Sequence, residues 1–221
     1  MDGPTDGGSV TALWLHQIRA GARDEELVVS EQERLWAEGL VPPRARQYLV
    51  SRSWIRRCLG MRHGALPLQV PLQAPPGQSP QLAAGWGYLS LSHCPDACLL
   101  GWSRQPIGVD LERADRQLRS ASLARRFFTE GECKTLAPLE GDCLRRQVLD
   151  RWLIKEAAIK WQQGSIARDL RRWEVSPCLN AALHLGFDCQ VAALVRSQGI
   201  WRLGVVASKQ QFLHDCPLYL T

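Results

Sequence analysis

Two stretches of this chain, about one hundred residues apart, present the same order of structural signals. Each contains a capping box, in which a Ser or Thr is followed three residues later by Glu: Ser30 with Glu33, and Thr129 with Glu132. The hydroxyl accepts a hydrogen bond from a backbone amide while the glutamate reaches back, so each box predicts the start of a helix. A second helix is predicted from residue 46 in the first stretch and from residue 146 in the second. The alternative to a true internal repeat is that both stretches merely contain the common sequence signals of helix N-termini.

Strand patterns complete the two units. An apolar strand precedes each helical pair, at residues 10–15 and 107–111. A segment with five prolines, residues 66–80, separates the units and is predicted to be extended or looped, because proline lacks an amide donor and disfavours helix before it. Further strands are predicted at residues 87–93, 97–102, 173–176, 181–185, 190–194 and 201–207. The fold class is therefore α+β, with two similar α/β subdomains, residues 1–105 and 106–221, and a ligand site at their interface.

Acidic and basic side chains cluster in two of these elements. On the strand around residues 107–112 the period of two directs Asp110 and Glu112 to the same side. On the predicted helix over residues 152–160, Lys155, Glu156 and Lys160 fall on one stripe by their three- and four-residue spacings. Carboxylate oxygens suit Mg²⁺, which takes one or two carboxylates and shares its remaining positions with water and substrate phosphate. The pattern predicts a metal-and-phosphate site; the alternatives are a solvated strand face and a simple Glu156–Lys160 ion pair.

Five segments, taken in their order along the chain, resemble the motifs of the 4′-phosphopantetheinyl transferase superfamily. The resemblance is greatest to its larger, surfactin-type monomeric members, and it covers most of the chain. It implies two subdomains related by pseudo-twofold symmetry, with the active site between them, and a monomeric protein. The segments are residues 46–52, 89–93, 108–112, 126–132 and 152–160.

The resemblance also implies an activity. A holo-[acyl-carrier-protein] synthase transfers the 4′-phosphopantetheine group of coenzyme A to a serine of an acyl carrier protein, or of a polyketide or peptide synthase carrier domain, and releases 3′,5′-ADP. It implies Mg²⁺, with Mn²⁺ satisfying the same ligands, held by Asp110, Glu112 and Glu156. Glu156 could instead act as general base, and Glu132 has either a functional role or only its capping role. The alternative function is a non-catalytic coenzyme A or nucleotide binder of the same fold.

Coenzyme A contacts follow from the same resemblance. Lys155 and Lys160 match the two lysines of the family helix, with Lys160 also catalytic beside Glu156. The coenzyme site is completed by Arg46, Ser92, His93 and Asp110. One departure concerns residues 76–80, which read Pro-Gly-Gln-Ser-Pro where many relatives carry Gly-Lys-Pro. A phosphate-binding lysine is therefore absent, and the sequence does not say how the 3′-phosphate is held.

The remaining expectations concern partners and location. A basic segment after the metal strand, with arginines at positions 116, 119, 125 and 126, is predicted to dock an acidic carrier protein, and a solvated helix face is the alternative. A nucleic-acid partner is not expected, because the nine tryptophans lie mostly in apolar runs and no compact Lys/Arg cluster carries exposed aromatics. No membrane partner is expected, since no apolar run approaches about 18 residues. Residues 1–8 lack the pattern of a secretion signal, so a cytoplasmic location is expected.

Overall fold

The computed structural model describes residues 10–18 and 27–221, which form two β-sheets with helices packed on their outer faces. The strands are β1 (Thr11–Gln17), β2 (Leu72–Gln73), β3 (Gln81–Leu82), β4 (Tyr88–Cys94), β5 (Ala97–Ser103), β6 (Ile107–Arg113), β7 (Trp173–Val175), β8 (Ala181–His184), β9 (Cys189–Gln198), β10 (Trp201–Ala207) and β11 (Leu218–Leu220). The α-helices are α1 (Glu31–Glu38), α2 (Pro42–His63), α3 (Ser120–Phe127), α4 (Glu130–Leu136), α5 (Gly141–Trp161), α6 (Ile166–Asp169) and α7 (Gln211–His214). Two short 3₁₀ helices lie at Pro67–Gln69 and Leu170–Arg172.

The first sheet has the strand order β11-β1-β5-β4, and the second has the order β6-β10-β9-β8-β7. All neighbouring strands are antiparallel except β11 and β1, which are parallel. The small hairpin of β2 and β3 stands apart from both. In each large sheet one long helix, α2 or α5, packs against one face. The mixture of helices and antiparallel sheets confirms the predicted α+β class.

Alternating residues explain how the two sheets come together. Along β1, Ala12 and Trp14 pack with the α2 side chains, whereas Leu13 and Leu15 face the other way and join a core shared with the second sheet. Val109 of β6 belongs to that same shared core. Because strand side chains alternate, one strand can serve both layers. The described chain is therefore arranged as helix, sheet, sheet and helix, with the two sheets in contact at its centre.

Two glycines allow α5 to approach the second sheet closely. A Cβ on Gly108 of β6 would lie 1.8 Å from the carbonyl oxygen of Ala157, and one on Gly204 of β10 would lie 2.8 Å from that of Leu153. No side chain fits at such distances, so these positions require glycine. Gly108, the first residue of the segment 108–112, thus allows the α5 backbone to pack directly on β6.

The predicted elements agree with the structure in most places. Both capping boxes form, at the starts of α1 and α4. The second helix of each unit begins earlier than predicted, at Pro42 and Gly141. In the first unit the reason is that proline fits the first turn of a helix, where an amide donor is not needed. Within the proline-rich segment the structure adds a short 3₁₀ helix and β2 to the predicted loop.

One element crosses the predicted division of the chain. β11 lies in the first sheet beside β1, although residues 106–221 were assigned to the second subdomain. The pseudo-twofold relation between the units stays a prediction. Within the described ranges, no helix is both long and apolar enough to cross a membrane. Residues 1–8, the basis of the expectation about secretion, lie outside the described residues.

Candidate active site

A lysine, an aspartate and a serine from three different elements meet where the two sheets join. Lys160 of α5 donates from Nζ to Oδ1 of Asp110 on β6 at 2.7 Å and to Oγ of Ser92 on β4 at 2.9 Å. The Ser92 hydroxyl donates to the same Oδ1 atom at 2.7 Å. Asp110 is 3% exposed, whereas the Lys160 side chain is 27% exposed. The lysine therefore connects a buried carboxylate with the surface.

Serine side chains hold the edges of the two sheets together at this point. β4 and β6 are edge strands of different sheets and are not paired with each other. The Oγ atom of Ser90 accepts a hydrogen bond from the Val109 amide at 3.1 Å, which satisfies an edge donor in a buried position. Two residues further along β4, the Ser92 hydroxyl donates a hydrogen bond to the carboxylate of Asp110, the residue that follows Val109 on β6. The period of two therefore aligns two serines of β4 with β6 and fixes Asp110 against the first sheet.

Glu156 lies one helical turn before Lys160 on α5 and is partly buried. Burial raises the pKa of Glu156 to about 7, and the negative charge of Asp110 adds to this, while Lys160 lowers it. The two carboxylates are thus close enough to repel each other. A cation between them would relieve that repulsion.

Glu112 does not join this group. Its carboxylate forms an ion pair with Arg116, four residues further along, and 20% of the side chain is exposed. Across the described ranges, no three His, Cys, Asp or Glu side chains form a ready group of metal ligands. Asp110, Glu156 and the Ser92 hydroxyl nevertheless supply hard oxygen donors, and Mg²⁺ needs only one or two carboxylates from the protein. The donor chemistry therefore fits Mg²⁺ through Asp110 and Glu156, whereas Glu112 is committed to Arg116.

Lys155 does not lie at this site, which corrects its predicted contact with coenzyme A. Its side chain is 0% exposed, and its Nζ atom forms an ion pair with Glu132 at 2.7 Å. The same ammonium donates to the carbonyl oxygens of Leu170, at 3.0 Å, and Trp173. A phosphate in solution cannot reach it. Glu132 also accepts from the Val175 amide at 3.0 Å, so its buried carboxylate joins α4, α5 and β7 and has a structural role.

A cleft of about 730 Å³ opens beside Lys160. We call it the α2 cleft, since one of its walls is the first half of α2. His93 lines it, and burial lowers the pKa of its imidazole, with the charges of Lys160 and Arg44 lowering it further. A neutral imidazole near pH 7 can donate one hydrogen bond to a phosphate oxygen. The α2 cleft is also lined by Arg44, Gln47 and Arg52 of α2, by the segment Pro76 to Pro80, and by the β4 residues Tyr88 to Leu91.

Arg44, rather than the predicted Arg46, faces the α2 cleft. Arg46 is exposed on α2 and is not among the residues that line the cleft, whereas Arg44 and Gln47 are. Arg52 lies deeper: its guanidinium stacks over the Tyr48 ring at 4.5 Å and donates to the Ala74 carbonyl at 3.2 Å. Sequence reasoning missed Arg44 because it placed the helix start at residue 46. The proline pair at Pro42 was the signal that could have extended the helix.

Together, the fold and the site define an α+β protein with a lysine–carboxylate cluster beside a basic cleft at the junction of two sheets. The chain belongs to the 4′-phosphopantetheinyl transferase superfamily, whose family model matches residues 106–199. The 4′-phosphopantetheinyl transferase HetI of Nostoc sp. is 32% identical over 166 residues, which cover 71% of this chain and 70% of HetI. A Synechocystis sp. protein named "Putative 4'-phosphopantetheinyl transferase slr0495" is 28% identical over 142 residues. That match covers 61% of this chain and 57% of the relative, so the chain aligns with little more than half of slr0495.

Proposed function

We propose that this protein transfers the 4′-phosphopantetheine group of coenzyme A to a serine hydroxyl of a carrier protein. The observation that carries the proposal is the contact of Lys160 with Asp110 and Ser92 at the mouth of a basic cleft, in a member of this superfamily. In the reaction the serine oxygen forms a bond to the phosphorus nearer the pantetheine. The bond from that phosphorus to the oxygen shared with the second phosphate breaks, and 3′,5′-ADP leaves with the bonding electrons. Phosphoryl transfer of this kind depends on alignment and charge neutralisation rather than on a protein nucleophile.

Lys160 and His93 are the residues we assign to the diphosphate. The Lys160 ammonium is partly exposed at the edge of the α2 cleft and acts as a point charge. His93 donates a hydrogen bond from a neutral ring. Asp110 and Ser92 fix the position of Lys160, since both hold its Nζ atom within 2.9 Å.

Glu156 is proposed to accept the proton of the incoming hydroxyl. It lies next to Lys160 on the surface of α5 that faces Asp110, and it is partly accessible. Asp110 and Glu156 would hold Mg²⁺, or Mn²⁺ in its place, with Glu112 joining only if it leaves Arg116. When bound, the metal supplies positive charge against the negative charge that develops on the phosphates. A general base must lie within hydrogen-bond distance of the carrier serine hydroxyl, so a structure with the carrier protein bound would distinguish this role of Glu156 from that of a metal ligand.

Arg44 and Arg52 are proposed to replace the absent lysine of the Gly-Lys-Pro segment. Gln78 stands within the segment that forms the facing wall of the α2 cleft and carries no charge. Arg44 is exposed in the first turn of α2 and its charge reaches His93 across the cleft. The end of the cleft near the start of α2 is therefore positively charged, which suits the 3′-phosphate of coenzyme A.

The carrier protein is proposed to dock on α3. Arg119, Arg125 and Arg126 are all exposed at or within this helix, which follows directly after the metal-binding strand β6. Carrier proteins are acidic, so this face offers charge complementarity and a faster encounter. We further propose a monomer of the surfactin-type group, because two units in one chain build both sides of the α2 cleft.

The test is intact-mass spectrometry of an apo carrier protein incubated with this protein, coenzyme A and Mg²⁺. The expected result is a phosphopantetheine-sized gain that EDTA abolishes and that Asp110→Ala does not give. Glu130→Gln, an exposed acid on α4, is the matched control and retains the gain. If several carrier classes show no gain while coenzyme A still binds, the protein is a non-catalytic coenzyme A binder.

A further inference from the structure

Arg116 lies beside the acidic side chains of the site, where the chain leaves β6. The strand ends at Arg113, and the Arg116 amide donates to the Arg113 carbonyl oxygen at 3.1 Å, so the chain turns at this point. The Arg116 guanidinium forms an ion pair with Glu112, one of the acids predicted to bind the metal. The Arg116 side chain is 42% exposed and the Glu112 side chain 20%, so this ion pair is partly open to solvent.

The turn that carries Arg116 is held by contacts other than this ion pair. Arg145 of α5 donates from Nη1 to the carbonyl oxygen of Ala114 at 2.5 Å. Arg113 forms an ion pair with Asp96 of the turn between β4 and β5, at 2.7 Å. Because these contacts fix the turn, the Arg116 side chain can leave its acidic partner without a change in the backbone.

Lys160 and Arg116 both pair with acids of the site, but they are held differently. Lys160 donates to the side chains of Asp110 and Ser92, which are both buried. Its removal would leave buried acceptors without their donor, which is costly. The Glu112–Arg116 pair is partly exposed, and an ion pair of this kind contributes little free energy because water solvates both charges when they separate. Arg116 is therefore the more easily displaced of the two cations.

The charge of Arg116 also reaches Glu156. Burial and the charge of Asp110 raise the pKa of Glu156, whereas the charges of Lys160 and, to a smaller extent, Arg116 lower it. Arg116 thus lies near two acids whose carboxylates belong to the proposed metal site. Because like charges repel, the guanidinium and a divalent cation disfavour each other in this position.

We propose that Arg116 is a displaceable counter-ion of the metal site, which pairs with Glu112 in the metal-free protein and leaves it when Glu112 becomes a metal ligand. This inference rests on the proposed function, because it requires the metal site at Asp110 and Glu156. Arg116 then sets the metal affinity of the protein, since every binding event must first break its ion pair. This role replaces the carrier docking that the sequence predicted for Arg116.

The experiment measures Mn²⁺ binding to the full chain without coenzyme A, from the loss of the electron paramagnetic resonance signal of free Mn²⁺. Arg116→Gln is expected to lower the Kd for Mn²⁺ about fivefold, the upper range for a partly exposed ion pair. Arg146→Gln is the matched control, because it also removes an arginine from a surface ion pair, with Asp142, and it leaves the Kd unchanged. Asp110→Asn is expected to abolish this binding, which identifies the site that the signal reports.

A Glu112→Gln background separates displacement from a general effect of charge. If Arg116 competes with the metal for Glu112, Arg116→Gln changes the Kd less than about twofold once Glu112 has been replaced. An equal gain in both backgrounds would show that Arg116 acts only through its charge and would overturn the proposal. An unchanged Kd in Arg116→Gln alone would also overturn it, and a raised KM for the carrier protein in that variant would then assign Arg116 to carrier docking.

The transfer assay tests the proposed function separately. A wild type that binds Mn²⁺ at this site but transfers no phosphopantetheine contradicts the proposed function, while the Kd of Arg116→Gln still decides the role of Arg116. A wild type that transfers the group and binds Mn²⁺ no more weakly than Arg116→Gln contradicts only the role of Arg116. Absence of Mn²⁺ binding from the wild type and from every variant would contradict the metal site and the role of Arg116 together.

Discussion

Lys155 and Glu132 form an ion pair with 2.7 Å between Nζ and Oε2, and both side chains are almost completely buried. Five residues along the same helix, Lys160 reaches the partly exposed cluster with Asp110. One helix thus carries a buried lysine that stabilises the fold and a second lysine that faces the α2 cleft. Substitutions at the two positions are expected to have different consequences.

The first prediction concerns Lys155→Met. This change leaves the buried Glu132 carboxylate without its cation, and breaking a buried pair on one side costs about 3–5 kcal/mol. Urea unfolding at neutral pH measures the loss. The double variant Lys155→Met with Glu132→Gln is expected to recover part of it. A single variant that is as stable as the wild type but has lost coenzyme A binding would contradict the structural role.

The second prediction concerns Gly108→Ala. The added methyl group would lie 1.8 Å from the Ala157 carbonyl oxygen, so α5 must move away from β6. Overpacking of this kind costs roughly 1–3 kcal/mol, and the displacement also separates Lys160 from Asp110. Both the unfolding free energy and the transfer rate are expected to fall. Gly39→Ala is the control, because its nearest neighbour is 3.7 Å away and its φ is −77°.

The third prediction concerns Asp110→Asn. The amide keeps the size of the side chain but removes the charge that fixes Lys160 and would hold the metal. The kcat of phosphopantetheine transfer is expected to fall about 100-fold or more, as for other preorganised electrostatic groups. Ser92→Ala removes a single hydrogen bond to each partner and is expected to cost about fivefold. Equal losses of kcat in Asp110→Asn and Ser92→Ala would contradict the assignment of the electrostatic role to the Asp110 charge.

The fourth prediction concerns the 3′-phosphate. Arg44→Gln is expected to raise the KM for coenzyme A about fivefold or more, because a charged hydrogen bond to phosphate is lost. The KM for dephospho-coenzyme A, which lacks the 3′-phosphate, stays the same. Arg46→Gln is the matched control on the same helix turn and leaves both values unchanged. A larger effect at Arg46 would restore the original prediction from the sequence.

The fifth prediction concerns acid stability. Burial lowers the pKa of His184 below its ordinary value of 6.5, although Asp169 opposes the shift. The unfolded chain therefore binds a proton near pH 6.5 while the folded chain does not, so the free energy of unfolding decreases as the pH falls below 6.5. His184→Phe preserves an aromatic ring against Trp173 and is expected to flatten this slope. Urea unfolding between about pH 7.5 and pH 5 measures the slope, and an unchanged slope would exclude His184 as its source.

Local patterns predicted the parts of the site that depend on short-range geometry. The period of two along β6 and the four-residue spacing between Glu156 and Lys160 predicted one site for Asp110, Glu112, Glu156 and Lys160. Lys160 contacts Asp110, whereas Glu112 forms an ion pair with Arg116. The capping boxes predicted where α1 and α4 begin. Both capping boxes form as predicted, since each depends only on a few adjacent residues.

Other parts of the site depend on contacts that sequence spacing does not contain. Lys155 and Lys160 are five residues apart, so at about 100° per residue they point about 140° away from each other, and a single stripe cannot include both. Lys155 lies on the side of α5 that packs against α4, where it is buried with Glu132, whereas Lys160 lies on the side that faces Asp110 and the α2 cleft. Arg116, which was predicted for carrier docking, forms an ion pair with Glu112, which was predicted to be a metal ligand.

The pairing of β11 with β1 also has a consequence for the order in which the chain folds. Leu218 lies opposite Leu13 in this parallel pair, so two segments about 200 residues apart complete one sheet. During synthesis the ribosome releases β1 long before β11, and contacts between such distant segments form late and slowly. β1 therefore remains an unpaired edge of the first sheet until almost all of the second half has been translated. During that interval the exposed edge would be a binding site for a chaperone.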